Sequence, residues 1–167
     1  VSQTEGDAMS NDPIRTRRLT INAAFLKDIK DDNRDLKKLL DKIFPLAAHP
    51  QTATNHWSEM VELFGCLRDQ LALHFALEEA YGYFDEAVDS APELSAVAEC
   101  LRGQHPDLFE KIRHLADKSS EIRIDSGEQV ARFLAEFNAF RTEFEKHEEA
   151  ELKLILDALD DDLGVGD

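Results

Sequence analysis

Two histidine–glutamate pairs at four-residue spacing, His74-Phe-Ala-Leu-Glu78 and His147-Glu-Glu-Ala-Glu151, are the stretches of this sequence best suited to chemistry. On a helix, residues four apart lie one turn apart on the same face, so an imidazole nitrogen and a carboxylate oxygen can converge on one cation. A single such pair is more often found on a solvated helix surface. What separates the two readings is the face that each pair occupies, and that depends on the helices that carry them.

The chain has 167 residues, 43% hydrophobic and 32% charged, with only 7 Gly and 5 Pro to interrupt helices. This composition fits a single globular domain of long helices. Residues 1–18 are polar and aperiodic and read as a flexible arm, residues 19–163 as the domain, and residues 164–167 as a tail. Thr20 is a candidate N-cap for a first helix ending near Phe44, ahead of Pro45. A stripe of Ile29, Leu36, Leu40 and Ile43 places Asn33 inward; a stripe of Ile29, Asp32, Leu36, Leu39 and Ile43 fits as well and places Asp32 inward. After a loop from His49 to Thr54, a second helix over 55–88 aligns Met60, Phe64, Leu67, Leu71, His74, Glu78 and Tyr81. Ser90-Ala-Pro-Glu93 is a helix start, and the third helix aligns Val97, Leu101, His105, Leu108, Ile112 and Leu115, with Pro106 predicting a kink or a local bulge around Arg102 to Pro106. A charged loop over 118–125 leads to Ser126-Gly-Glu-Gln129, a capping box that opens a fourth helix to about Leu163. Its stripe is Val130, Phe133, Phe137, Phe140, Phe144, His147, Glu151, Leu154 and Ala158. Four long helices with one apolar seam each define an all-α, antiparallel up-down four-helix bundle.

Both pairs therefore face the core, together with His105. An unpaired buried carboxylate costs several kcal/mol, so His74, Glu78, His105, His147 and Glu151 require either a dense metal-free hydrogen-bond network or cations. Two divalent cations suffice. Mixed imidazole and carboxylate donors on facing helices are the pattern of non-haem di-iron or di-manganese sites, and zinc fits this set less well.

These residues, in this order on four helices, resemble the hemerythrin-like, or HHE cation-binding, family over about 19–163. In that family a histidine on helix one, a His-x-x-x-Glu on helix two, a histidine on helix three and a His-x-x-x-Glu on helix four bind two irons. The resemblance implies two iron ions here, with carboxylate and oxo or hydroxo bridges, held by His74, Glu78, His105, His147 and Glu151. It implies a protein that binds or senses O2, NO, peroxide or iron itself. A di-iron oxidoreductase, oxidase or peroxidase-like, is the alternative, and a metal-free helical interaction module is a third. One position departs from the pattern: in Asp31-Asp-Asn-Arg34, Asn33 stands where the family has its helix-one histidine, which by analogy serves the same iron as His74. Three outcomes follow: Asn33 ligates weakly or holds a water, Asp32 reaches in instead, or the site holds one metal. Glu79, Gln70 and Tyr81 lie near the cluster by spacing, Glu79 being either a helix-flank acid or a further ligand. Phe75, Phe137, Phe140 and Phe144 are either pocket walls or ordinary core, and His49, His56 and His114 are read as surface residues.

A formal net charge of −16 argues against nucleic acid and anionic membranes as partners. No apolar run long enough to span a membrane and no signal-like segment is found, so the expected location is cytoplasmic. Cys66 and Cys100 have no CxxC spacing and are expected to be buried, inert thiols.

Overall fold

A computed structural model describes residues 31–80, 85–90 and 92–164, and among them every regular element is helical. The arm over 1–18, Thr20, Ile29, Tyr81 and the residues after Gly164 lie outside the described residues.

Helix α1 is described over 31–47 and buries Asp32, Leu36, Ile43 and Ala47, with Leu39 and Leu40 half-buried. It continues two residues past Pro45, where the sequence predicts a stop. Proline removes only one donor at this point, and the burial of Ala47 holds the last turn in place. The expected loop from His49 to Thr54 is instead a short helix, α2 (Pro50–Asn55). Pro50 occupies the first turn, where no donor is required, Ala53 is fully buried, and the Thr54 hydroxyl donates to the Pro50 carbonyl at 2.8 Å.

The helix expected over 55–88 comprises α3 (Trp57–Ala80) and α4 (Asp85–Ser90). From α3, Met60, Phe64, Leu67, Leu71, His74 and Glu78 are all buried, as the spacing predicts. The third expected helix is divided. A 3-10 turn (Pro92–Leu94) leads into α5 (Ser95–Arg102), and α6 (His105–Ser119) follows after Gly103 and Gln104. The kink or bulge expected around Pro106 is thus a two-residue interruption, at Gly103 and Gln104, whose dihedrals stay helical, and it leaves the proline in the first turn of a new helix. Because α5 is a separate helix, its inward residues are Ala98 and Leu101, and Val97 is exposed rather than on the stripe.

Helix α7 (Gly127–Gly164) buries its whole predicted stripe from Val130 to Ala158. Only half of the capping box forms. The Gln129 backbone N–H reaches the Ser126 hydroxyl at 3.4 Å, whereas the Gln129 side-chain Oε1 accepts from the Arg123 backbone N–H at 3.1 Å rather than from that of Ser126.

Contacts between ends fix the topology. Asp32, early in α1, meets His74, late in α3. Trp57 opens α3 and donates its indole N–H to the Ser119 carbonyl, at the end of α6, at 2.9 Å. His105, at the start of α6, lies against His147, past the middle of α7, with ring centroids 5.0 Å apart, while Lys118, near the end of α6, reaches Glu136, earlier in α7. Successive long segments therefore run antiparallel, up-down-up-down.

The core has an apolar half and a polar half. In the apolar half, Phe64 stands edge-on to Phe133 and Phe137 at 5.1 and 4.9 Å, and Trp57 packs against Phe133 at 5.2 Å. At the other end, Ala98, Leu101 and Leu154 form a smaller cluster with Val88 and Leu94. The histidines and glutamates lie between the two. His49, His56 and His114 are exposed as expected. Cys66 and Cys100 are exposed as well, contrary to the expectation of buried thiols, because both fall outside the inward positions of their helices. No helix among the described residues is long and apolar enough to cross a membrane.

Phe133 is fully buried at the centre of this aromatic stack. Phe133→Ala is expected to destabilise the fold by about 3–5 kcal/mol, read as a lowered denaturant midpoint.

Candidate metal centre

The two histidine–glutamate pairs reach the same point from α3 and α7, and α6 adds His105 at its first residue. Glu151 is the hub. His147 Nε2 lies 2.9 Å from Glu151 Oε1, and His105 Nε2 lies 3.3 Å from the same oxygen. His105 Nε2 is also 3.4 Å from Glu78 Oε2, and His74 Nε2 is 3.2 Å from Glu78 Oε1. All five side chains that the sequence predicts are buried and converge.

The other nitrogen of each imidazole is held by an oxygen. His74 Nδ1 is 2.7 Å from Asp32 Oδ2, His105 Nδ1 is 3.3 Å from Glu79 Oε1, and His147 Nδ1 is 3.0 Å from Gln104 Oε1. These acceptors place a proton on each Nδ1 and leave Nε2 facing the carboxylates, the tautomer that a metal ligand requires.

The two helix-one candidates are placed differently by this geometry. Asn33 is exposed and puts no atom on the cluster, whereas Asp32 is buried, 2.7 Å from the Gln70 side-chain amide and 2.7 Å from His74. Asp32 reaches inward, but to orient His74 rather than to join the shared carboxylates. Leu36 and Ile43 belong to both stripes and Leu39 and Leu40 are both half-buried, so what places Asp32 inward is that it satisfies two donors there, the Gln70 amide and His74. Glu79 is half-exposed and touches the outer nitrogen of His105, so it acts as an orienting partner. Phe75 stacks on the His105 ring at 4.5 Å and Phe144 stands 6.1 Å from His74. Phe140 stacks behind Phe144, and Phe137 belongs to the apolar half.

One residue on this centre escapes the stripe. Glu148 Oε1 lies 3.0 Å from His74 Nε2. The signal was its place on the flank of the α7 seam, four residues after Phe144 and three before Glu151. Two sets of donors result, each with atoms within 4.8 Å of one another: Glu78, His105, His147 and Glu151, and His74, Glu78, Glu148 and Glu151. Glu78 and Glu151 belong to both.

The donor atoms fit cations. Glu78 Oε2 and His147 Nε2 are buried and make no well-aligned hydrogen bond, although Glu151 Oε1 lies 2.9 Å from His147 Nε2 and His105 Nε2 lies 3.4 Å from Glu78 Oε2; close approach without alignment is what atoms arranged around a cation show. Burial, with the nearby Glu151 and Glu148 charges, pushes the Glu78 carboxyl up to about 9 against the pull of His74. Glu151 is also buried, but the imidazoles of His105 and His147 overcome that and hold it down near 2. Burial pulls His74 down, yet Asp32 and Glu148 outweigh it and raise the ring to about 11. Protons thus take the place of positive charge, and a cation would displace them.

A helical bundle with shared carboxylates and inward imidazoles on facing helices is a cation-binding bundle. The chain matches the hemerythrin HHE cation-binding domain over residues 24–159 and belongs to that family. No curated protein and no solved structure matched it.

For the metal-free protein, the two raised values have the same sign. His74 contributes stability that is complete below its unfolded value of 6.5 and lost as pH rises toward 11. Glu78 does the same between 4.5 and about 9, whereas Glu151 matters only as pH falls from 4.5 toward 2. Thermal melts in chelator should therefore show a melting temperature that falls steadily from pH 6.5 to 9, and divalent cation should remove most of that slope.

Proposed function

We propose that this protein holds two iron ions in a carboxylate-bridged centre and uses them to bind or sense a small ligand such as O2, NO or peroxide. The observation that supports this reading is that Glu78 and Glu151 each belong to both donor sets. In this assignment His74 serves one ion, and His105 and His147 serve the other. Iron in such a set supplies one-electron redox chemistry and Lewis acidity toward a small ligand.

The chain's own residues prepare the site. Asp32, Glu79 and Gln104 fix the three rings and, by accepting from Nδ1, make Nε2 a better donor. Phe75 and Phe144 line the cluster with apolar surface, which excludes bulk water and favours a small uncharged ligand over an anion. An oxidase or peroxidase-like reading draws support from the carboxylate-rich environment of His74, since anionic oxygen donors favour the more oxidised metal.

Anaerobic reduction followed by O2 separates the two. A reversible change in the visible spectrum is expected for a binding protein, whereas consumption of O2 or peroxide over many turnovers would replace that reading with catalysis. Glu78→Ala and Glu151→Ala should each reduce metal content at both sites, measured by elemental analysis of folded protein. Full two-ion content in both variants would sink the bridging assignment.

A further inference from the structure

The two donor sets differ in what separates them from solvent. Glu78, His105, His147 and Glu151 are all buried. In the other set Glu148 is the exception: its side chain is 34% exposed, against 5% for Glu78 and 4% for Glu151. Glu148 also lines a groove of about 440 Å³ between α1 and α7, whose apolar walls include Leu36, Leu40, Phe44 and Phe144. The same carboxylate therefore touches His74 on one side and open space on the other.

The opposite side is arranged differently. A second groove, between α6 and α7, reaches His147, but Gln104 accepts from Nδ1 there and the ring is 2% exposed. The donors differ too, with one imidazole and three carboxylates around His74 and two of each around His105 and His147. Carboxylate oxygens suit hard, readily exchanged cations, while imidazoles hold borderline ones more firmly.

Building on the two-iron reading, we propose that Glu148 is the exchangeable fourth donor of the His74 site and that the groove between α1 and α7 is the path by which that ion enters and leaves. On the flank of the seam, Glu148 can rotate from His74 into the groove with no movement of the α7 backbone. Glu78 and Glu151 line neither of these two grooves. This residue gives the centre one labile position and one retained one, and it occupies the side of the cluster where Asn33 leaves helix one without an inward imidazole.

The test is anaerobic release of Fe(II) from the fully loaded protein to a coloured chelator. Two phases of equal amplitude are expected. Glu148→Gln, which keeps shape and removes charge, should speed the fast phase by about tenfold or more and leave the slow phase unchanged. Leu40→Trp, which fills the groove, should slow the fast phase alone. Release of both ions in one phase, or two phases that respond to neither variant, overturns the role of Glu148 while leaving the two-iron reading intact. A folded protein that takes up no iron overturns both.

Discussion

Two carboxylates, Glu78 and Glu151, are held in a dry core within reach of one another, and the rest of the structure answers to that constraint. Charged oxygens so placed are strongly destabilising unless positive charge lies beside them. The chain brings three imidazoles from three helices, and each ring is then turned by an acceptor on its outer nitrogen. Without cations the burden falls on protons: Glu78 is kept neutral, Glu151 ionised, and His74 charged. Cations would let the same atoms adopt one consistent ionic state. The cluster is therefore a set of partially satisfied groups that become fully satisfied on binding, which couples occupancy to stability.

Such a cluster needs a scaffold that does not depend on it. The aromatic half of the bundle, from Trp57 to Phe137, provides that scaffold at one end. At the other, α4, α5 and the last turns of α7 close over the polar layer with Leu101, Leu154 and Ala98. Helices as long as α3 and α7 are what allow one continuous seam to change from phenylalanine to histidine and glutamate along its length. The stability of the domain and the chemistry of its centre are thus separated along the bundle axis, on the same pair of helices.

How much of this was legible in the sequence depended on how tightly each segment was constrained. On α7 every position of the predicted stripe is buried, because a long uninterrupted helix repeats its phase and each of these positions carries a large or chemically distinct side chain. Helix one was ambiguous, because Leu36 and Ile43 satisfy two stripes and adjacent residues, Asp32 and Asn33, then compete for the polar position. Only the packing against Gln70 and His74 decides it. Val97 was misplaced because phase does not carry across a broken helix. Glu148 was overlooked because a strict seam is narrower than the face a helix buries. The short helix at Pro50 and the exposure of both cysteines were hidden for a similar reason: composition describes tendencies, whereas burial is decided by neighbours from distant segments.

The break at Gly103 and Gln104 gives the cluster a point of weakness. His74, His147 and Glu151 sit inside continuous helices, but His105 begins one, and Gln104, the residue before it, is what steadies His147. Fraying of a single turn would carry off a ligand and the support of a second ligand together, with the bundle still folded. Such sub-global openings have far lower free energies than complete unfolding. An ion held by His105 and His147 would therefore be retained only as long as one helical turn stays closed, whatever the strength of the donor atoms.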